Sequence, residues 1–363
     1  MEFGGHAFAH PGGIKKFPKI ETRDLVLTPL CVYFLLENVR VGRSPASTSV
    51  NDAAGMPRSS PSSPQPDLDA YSADRFVLDC KDRTLDCRPH RADGTGTHVM
   101  GILNTTPDSF SDGGEYMAVE DAVSRAAEML SEGASIIDVG GESTRPGSDP
   151  VSLENERNRV LPVLDALTEQ FPDALFSIDT YKAPLAYEAL EAGAHIVNDV
   201  TGLRHDPDMA EVVAEANAAL VVMHSEGDPG DLTRPRTYAD VTAEVRDRLA
   251  QSIETAEQAG VSSILIDPGF GFGKSHTENL RLINEVDELL ALERPVLIGV
   301  SRKSTIGATL GTADAPVAVE NRLHGSLGAT AVGAIRGASI VRTHDVAATA
   351  DLLTVLNATV NAR

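Results

Sequence analysis

Eight short apolar runs in this chain each lead into residues that can do chemistry. Asn104 follows Val-Met-Gly-Ile-Leu, Asp138 follows a pair of isoleucines, and Asp179 follows Leu-Phe-Ser-Ile. Asn198 and Asp199 end His-Ile-Val, while Met223 and His224 end the run from residue 218. Asp267 follows Ile-Leu-Ile, Ser301, Arg302 and Lys303 follow Val-Leu-Ile-Gly-Val, and Arg342 and His344 end the last run. A lone polar residue at such a place caps a helix or satisfies loop backbone. Eight together, with carboxylates, amides and cations all represented, point to a site. Asp179, Asn198, Asp267 and Lys303 are hydrogen-bonding groups of both polarities, which suit the edge of a flat heterocycle with adjacent donors and acceptors. Arg145, Arg342 and His344 suit an anion such as phosphate or diphosphate. Asn104 offers a neutral oxygen of the kind that holds Mg2+ together with waters and a phosphate.

These residues need elements to bring them together. Strand-like runs lie near 98–103, 134–139, 174–178, 195–197, 218–223, 262–266, 295–300 and 338–342. Helical patterns lie near 118–132, 153–170, 183–192, 207–216, 239–259, 278–291, 317–335 and 346–360. Gly133, Gly193, Gly260 and Gly337 stand where helices end, each followed at once by Ala or Val, which suits a left-handed C′ residue before a buried strand. A doubly wound open sheet could use the same alternation, but eight units favour closure into a TIM (β/α)8 barrel, an α/β fold. A barrel puts the strand ends at one mouth, where such folds carry their chemistry. Residues 75–87 read as a β-hairpin with its turn at Lys81–Arg83, preceding the barrel.

Composition narrows the function. The chain of 363 residues is 42% hydrophobic but only 4% aromatic and lacks tryptophan, so its core must be aliphatic. Its net charge is −22, and residues 1–50 carry +2 of it (six basic, four acidic), so the remainder is still more acidic. That sign argues against a nucleic-acid or anionic-membrane partner, since binding phosphate needs the opposite charge. Cys31, Cys80 and Cys87 have neither metal-ligand spacing nor a disulfide pattern, which fits a reducing, cytoplasmic setting. No apolar run reaches membrane-spanning length. Residues 25–36 resemble the apolar part of a leader, but Asp24 and Pro29 flank and interrupt it and no small-residue cleavage site follows. Residues 44–66 are rich in Ser and Pro. The expected division is therefore a disordered extension and linker over 1–73 and the barrel over 74–363. The Gly269–Lys274 loop is not a P-loop, because its first glycine is one residue too close to Gly273-Lys274 and follows Asp267-Pro268.

Several motifs carry a family resemblance in the right order: Asn104-Thr-Thr-Pro-Asp-Ser-Phe-Ser-Asp-Gly-Gly114, Ile137-Asp-Val-Gly-Gly-Glu-Ser-Thr-Arg-Pro-Gly147, Ser177-Ile-Asp-Thr180 and His195-Ile-Val-Asn-Asp199. Further on come Val222-Met-His224, Leu265-Ile-Asp-Pro-Gly-Phe-Gly-Phe-Gly-Lys274, Gly299-Val-Ser-Arg-Lys-Ser304 and Val341-Arg-Thr-His-Asp345. From about residue 75 to about 360 the chain resembles the dihydropteroate synthases, barrel enzymes of folate synthesis. The resemblance implies that 4-aminobenzoate is joined to the methylene of a dihydropterin methyl diphosphate, with release of diphosphate. It implies a pterin held by Asp179, Asn198, Asp267 and Lys303, in a slot lined by Met223, Phe272 and Gly299. Asn104 would ligate Mg2+ on the diphosphate, which Arg342 and His344 would bind as it leaves. Phe110, Thr144, Arg145, Pro146 and Ser301 would shape the aminobenzoate site. A homodimer is also implied. The alternative is a pterin-binding methyltransferase barrel, which has no diphosphate to expel and so no use for the Ser-Arg-Lys loop or the Arg-Thr-His-Asp strand end.

Overall fold

The computed structural model describes residues 73–89, 96–105, 114–143 and 150–362. The expected extension over 1–73 lies outside them apart from Ala73, and Phe110, Thr144, Arg145 and Pro146 lie outside them too. A short helix α1 (Ala73–Phe76) leads into strands β1 (Val77–Cys80) and β2 (Arg83–Asp86), which pair antiparallel. Eight further strands follow: β3 (His98–Asn104), β4 (Ile136–Gly140), β5 (Leu175–Asp179), β6 (Ile196–Asp199), β7 (Ala219–Met223), β8 (Ser263–Asp267), β9 (Val296–Ile298) and β10 (Ala338–Thr343). They form a closed barrel of parallel strands in sequence order, with β10 returning to β3.

Helices α2 (Gly114–Ser131), α3 (Leu153–Gln170), α4 (Ala183–Glu191), α5 (Met209–Glu215) and α6 (Val241–Gln258) connect the strands up to β8. Beyond β8 come α7 (His276–Asn284), α8 (Val286–Leu289), α9 (Ser304–Leu310), α10 (Leu323–Ile335) and α11 (Val346–Val360). The glycines expected at helix ends do take left-handed backbone, with φ of +102° at Gly133, +106° at Gly193, +95° at Gly260 and +101° at Gly337. After α5 the same task falls to Asn217, at φ +51°. Asparagine is the non-glycine residue that tolerates this conformation best.

Three details depart from the sequence expectation. The hairpin turn is Lys81-Asp82 alone, because Arg83 pairs with Cys80 and Lys81 takes the left-handed conformation at φ +62°. The helix expected over 317–335 begins at Leu323. Before it, Val317 N–H bonds Gly307 O at 2.9 Å and the Arg322 guanidinium bonds the carbonyls of Val317 (2.7 Å) and Arg302 (2.9 Å), so the segment is tied across to α9. The helix expected over 278–291 breaks at Glu285, whose carboxylate is held by Arg281 at 2.9 Å and by Thr242 at 2.6 Å.

The barrel interior is aliphatic, as a sequence without tryptophan requires. Met100, Ile136, Leu175, Ile196, Val221, Leu265, Leu297 and Ile340 fill it, and Leu78, Cys80, Leu85 and Cys87 of the hairpin join the same cluster. The hairpin therefore plugs the end opposite the mouth. Its backbone is tied down as well, with Asp79 N–H on Ser263 Oγ (2.9 Å) and Lys81 N–H on Asn217 O (2.9 Å). Both thiols are free and buried, and burial pushes Cys80 up to about 12, so they serve as packing atoms. Among the described residues no helix is long and apolar enough to cross a membrane. Leu78 is 1% exposed; Leu78→Ala is expected to cost about 2–5 kcal/mol in urea unfolding, and a loss under about 1 kcal/mol would mean that the plug contributes little.

Candidate active site

Strand periodicity builds the site. Side chains alternate between faces, so residues two or four positions beyond an inward-facing core residue face inward too. Asn104 lies four beyond Met100, Asp138 two beyond Ile136, Asp179 four beyond Leu175 and Asn198 two beyond Ile196. Met223, Asp267, Gly299 and Arg342 each lie two beyond Val221, Leu265, Leu297 and Ile340. The aliphatic floor thus passes into a layer at the carboxyl ends of the strands to which six contribute polar side chains, with Met223 and Gly299 completing it.

At the centre of that layer the Arg342 guanidinium bridges two carboxylates. Its Nε donates to Asp138 Oδ2 at 2.6 Å and its Nη2 to Asp179 Oδ2 at 2.7 Å. Asn198 Nδ2 donates to the same Asp138 oxygen at 3.2 Å. Burial pulls the guanidinium down, but the Asp138 and Asp179 charges more than offset it. Burial pushes Asp179 up to about 7, with Arg342 opposing and the charges of Asp138 and Glu156 adding. Asp138 is fully buried, and its Oδ1 has no hydrogen-bond partner among the described residues; neither has Ser177 Oγ, on the neighbouring strand in register with it. Buried acceptors left open beside a paired cation are an unfinished hydrogen-bond network.

On the opposite side, Asp267 and Lys303 face one another electrostatically. Burial raises Asp267, and the Lys303 charge and the Gly269 N–H (2.7 Å from Oδ1) lower it. Burial brings Lys303 down to about 8 against the pull of Asp267. The Lys303 ammonium donates to Phe270 O and stands 4.5 Å from the Phe272 ring centroid. Gly299 lies beside it, where a Cβ would stand 3.9 Å from both Lys303 Nζ and Arg342 Cβ, an ordinary contact. Met223 and Phe272 belong to an apolar wall with Tyr181, Val200 and Leu232. At the rim, Ser301 Oγ lies 3.0 Å from His344 Nδ1 and accepts the His344 backbone N–H at 3.2 Å. His224 turns inward to protein instead: it is buried, and desolvation pushes it down to about 2.

A family model for pterin binding enzymes matches residues 100–344, which is the barrel from its first strand to its last strand end. Over 268 residues the chain is 44% identical to the dihydropteroate synthase of Escherichia coli K12, covering 73% of this chain and 93% of that one. The chain belongs to the pterin-binding family of dihydropteroate synthases. It is 49% identical over 256 residues to a probable bifunctional folylpolyglutamate synthase/dihydropteroate synthase of Halobacterium salinarum, matching 70% of this chain and 30% of that longer protein. It also superposes on the Xanthomonas albilineans dihydropteroate synthase solved with 4-aminobenzoic acid, with TM-score 0.71 and 43% identity over 80% of this chain and all of that one.

Within this pterin-binding barrel, the structure brings Asp179, Asn198, Met223, Asp267, Phe272, Gly299, Ser301, Lys303, Arg342 and His344 to one mouth, with Asn104 at the end of β3. Two further features escape a reading of strand ends alone. Asp138, itself one of the strand ends picked out from the sequence, is the common acceptor for Arg342 and Asn198, a role its position alone does not reveal. Behind Asp179, Lys182 pairs with both Glu142 (2.6 Å) and the buried Glu156, and the Tyr181 hydroxyl donates to Glu142 at 2.8 Å. Glu156 sits on the buried stripe of α3 with Val160, Val163, Leu164 and Leu167, where an acid demands a buried partner.

Proposed function

We propose that this barrel joins 4-aminobenzoate to (7,8-dihydropterin-6-yl)methyl diphosphate, giving 7,8-dihydropteroate and diphosphate. The observation that carries the reading is the convergence of Asp179, Asn198, Asp267 and Lys303 around one partly buried Arg342 at the mouth. An aminopyrimidinone ring presents N–H donors next to a carbonyl acceptor. The Asp179 and Asp267 carboxyls and the Asn198 amide accept and donate along that edge, and Lys303 donates to the carbonyl. The Met223 and Phe272 wall holds the ring's face.

In the reaction the methylene C–O bond breaks and its electron pair leaves with the diphosphate. Arg342 has Nη1 beyond its two carboxylate contacts, and His344 stands beside Ser301; these two take up charge on the leaving group. Asp267, which is buried, and the partly buried Asp179 favour the pterin-stabilised cation electrostatically. The arylamine lone pair then forms the new C–N bond, and the amine loses its proton. That step needs positioning more than activation, and no side chain forms a covalent intermediate. Phe110, Thr144, Arg145, Pro146 and Ser301 shape the aminobenzoate site on this reading.

Asn104 fits Mg2+. It offers a neutral oxygen at the mouth end of β3, while among the described residues no group of three His, Cys, Asp or Glu could cage a metal alone. An ion there would share its shell with diphosphate oxygens and water. When bound, Mg2+ neutralises charge on the leaving group. The free buried thiols of Cys80 and Cys87 support a reducing, cytoplasmic setting.

Incubation with the pterin diphosphate, 4-aminobenzoate and Mg2+ is expected to yield dihydropteroate, and absence of product at any salt concentration would refute the reading. Lys303→Ala is expected to raise the KM for the pterin about tenfold or more, and Arg342→Ala to lower kcat. Parental kinetics in both variants would contradict the roles assigned. A homodimer is the second expectation, supported by exposed Val332 and Ile335 on α10 and Val355 on α11. Sedimentation equilibrium should return twice the chain mass of 38.4 kDa, and a monomer at micromolar concentration would exclude it.

A further inference from the structure

Lys274 has no part in the chemistry above, yet it is only 8% exposed at the centre of the loop after β8. That loop holds glycines at alternate positions, with φ of +69° at Gly269, +86° at Gly271 and +67° at Gly273. Such backbone curls tightly, and only glycine takes it up without strain. At Gly269 a Cβ would lie 1.9 Å from His224 O, so the loop packs backbone to backbone against the end of β7. Into the curl projects the Lys274 amine, which donates to Gly269 O at 2.9 Å, Phe272 O at 3.2 Å and His224 O at 3.4 Å. Three acceptors around one nitrogen match an ammonium, which has three N–H donors and no lone pair. Burial pulls this amine down to about 7, and the Asp267 charge opposes that.

The same loop sets the groups that face the pterin. Gly269 N–H bonds Asp267 Oδ1, and Phe272 N–H bonds Gly269 O at 3.1 Å. Phe270 O receives the Lys303 ammonium, and the Phe272 ring lies beneath it. Gly271 backs the lysine stem, where a Cβ would come within 2.9 Å of Lys303 Cδ. Asn279 closes the curl from outside, accepting Gly271 N–H at 2.6 Å and donating to Lys274 O at 3.0 Å.

We propose that Lys274 is a positioning residue for the pterin: a tethered ammonium around which the loop folds, so that Phe272, Asp267 and Lys303 stand in place before substrate arrives. This rests on the pterin reading of the mouth. The lysine touches no substrate and acts through Gly269 and Phe272.

The test is equilibrium binding of the pterin diphosphate to the full chain with Mg2+, read by the pterin's own fluorescence at about pH 6, where the amine is charged. Lys274→Met keeps the stem and removes every donor. Its Kd for the pterin is expected to rise about tenfold or more, while the KM for 4-aminobenzoate stays within about twofold. Lys274→Gln keeps two donors without the charge, should fall between, and supplies the reading if the methionine variant does not fold. Combining Lys274→Met with Phe272→Ala should cost less than the two losses added, because both break one chain of contacts. Unchanged pterin binding in a folded variant, equal weakening toward both substrates, or additive losses would each overturn the proposal. A parent that binds pterin but makes no product would sink the proposed reaction and leave this inference to be judged on binding alone.

Discussion

The mouth depends on one arrangement, a guanidinium held between two carboxylates over an aliphatic floor. A carboxylate at this depth is costly without a partner, because a lone buried charge costs several kcal/mol. Arg342 makes Asp138 and Asp179 both tolerable and is itself kept protonated by them. The pairing reaches across the barrel from β10 to β4 and β5, and the Asn198 amide brings in β6 through the same Asp138 oxygen. Four strands thus converge on one hydrogen-bonded cluster, which gives the mouth its shape without a ligand. The acceptors left open at its base are where a donor-rich ring edge can complete the network.

The rest of the fold supports this cluster from below and behind. The hairpin fills the far end with Leu78, Cys80, Leu85 and Cys87, so the barrel interior holds side chains instead of water. A dry floor keeps the effective dielectric low, which strengthens each pairing above it and makes each unpaired group more costly. Behind Asp179, the Lys182 pairs with Glu142 and Glu156 anchor the turn that follows β5. On the other side, the glycine-rich loop and its enclosed lysine hold Phe272 and Asp267. Rigid parts surround the place where the pterin ring would lie, an arrangement suited to a reaction that needs placement more than acid–base work.

Much of this was legible in the sequence because a parallel barrel ties function to position. Each strand is a short buried run, and the residue that ends it must face the mouth; hence Asp179, Asn198, Asp267 and Arg342 could be picked out before any coordinates. The glycines after helices were legible for a similar reason, since few residues take φ near +100°. The pairing of those residues was not. Nothing local tells Arg342 that its partners lie some 160 and 200 positions earlier, and its assignment to the leaving group alone missed the two carboxylates it bridges. Helix bounds failed where tertiary ties won: the carbonyl contacts of Arg322 delay α10, and the grip of Arg281 and Thr242 on Glu285 breaks the helix expected over 278–291.

Stability of Arg342→Met against pH tests the central arrangement most directly. An aspartate whose pKa is raised in the folded state contributes stability below its unfolded value, and that contribution is lost as pH rises through the folded value. Asp179 stands at about 7 with Arg342 in place. Without the guanidinium it moves higher still, so the deficit of the variant should grow as pH rises through about 7, from about pH 5, where both proteins keep the proton, to about pH 9, where the parent is ionised and the variant must ionise against burial. The account predicts a loss of about 3–5 kcal/mol at the higher pH and clearly less at the lower, by chemical denaturation. A loss that is small throughout, or the same at both ends, would contradict it.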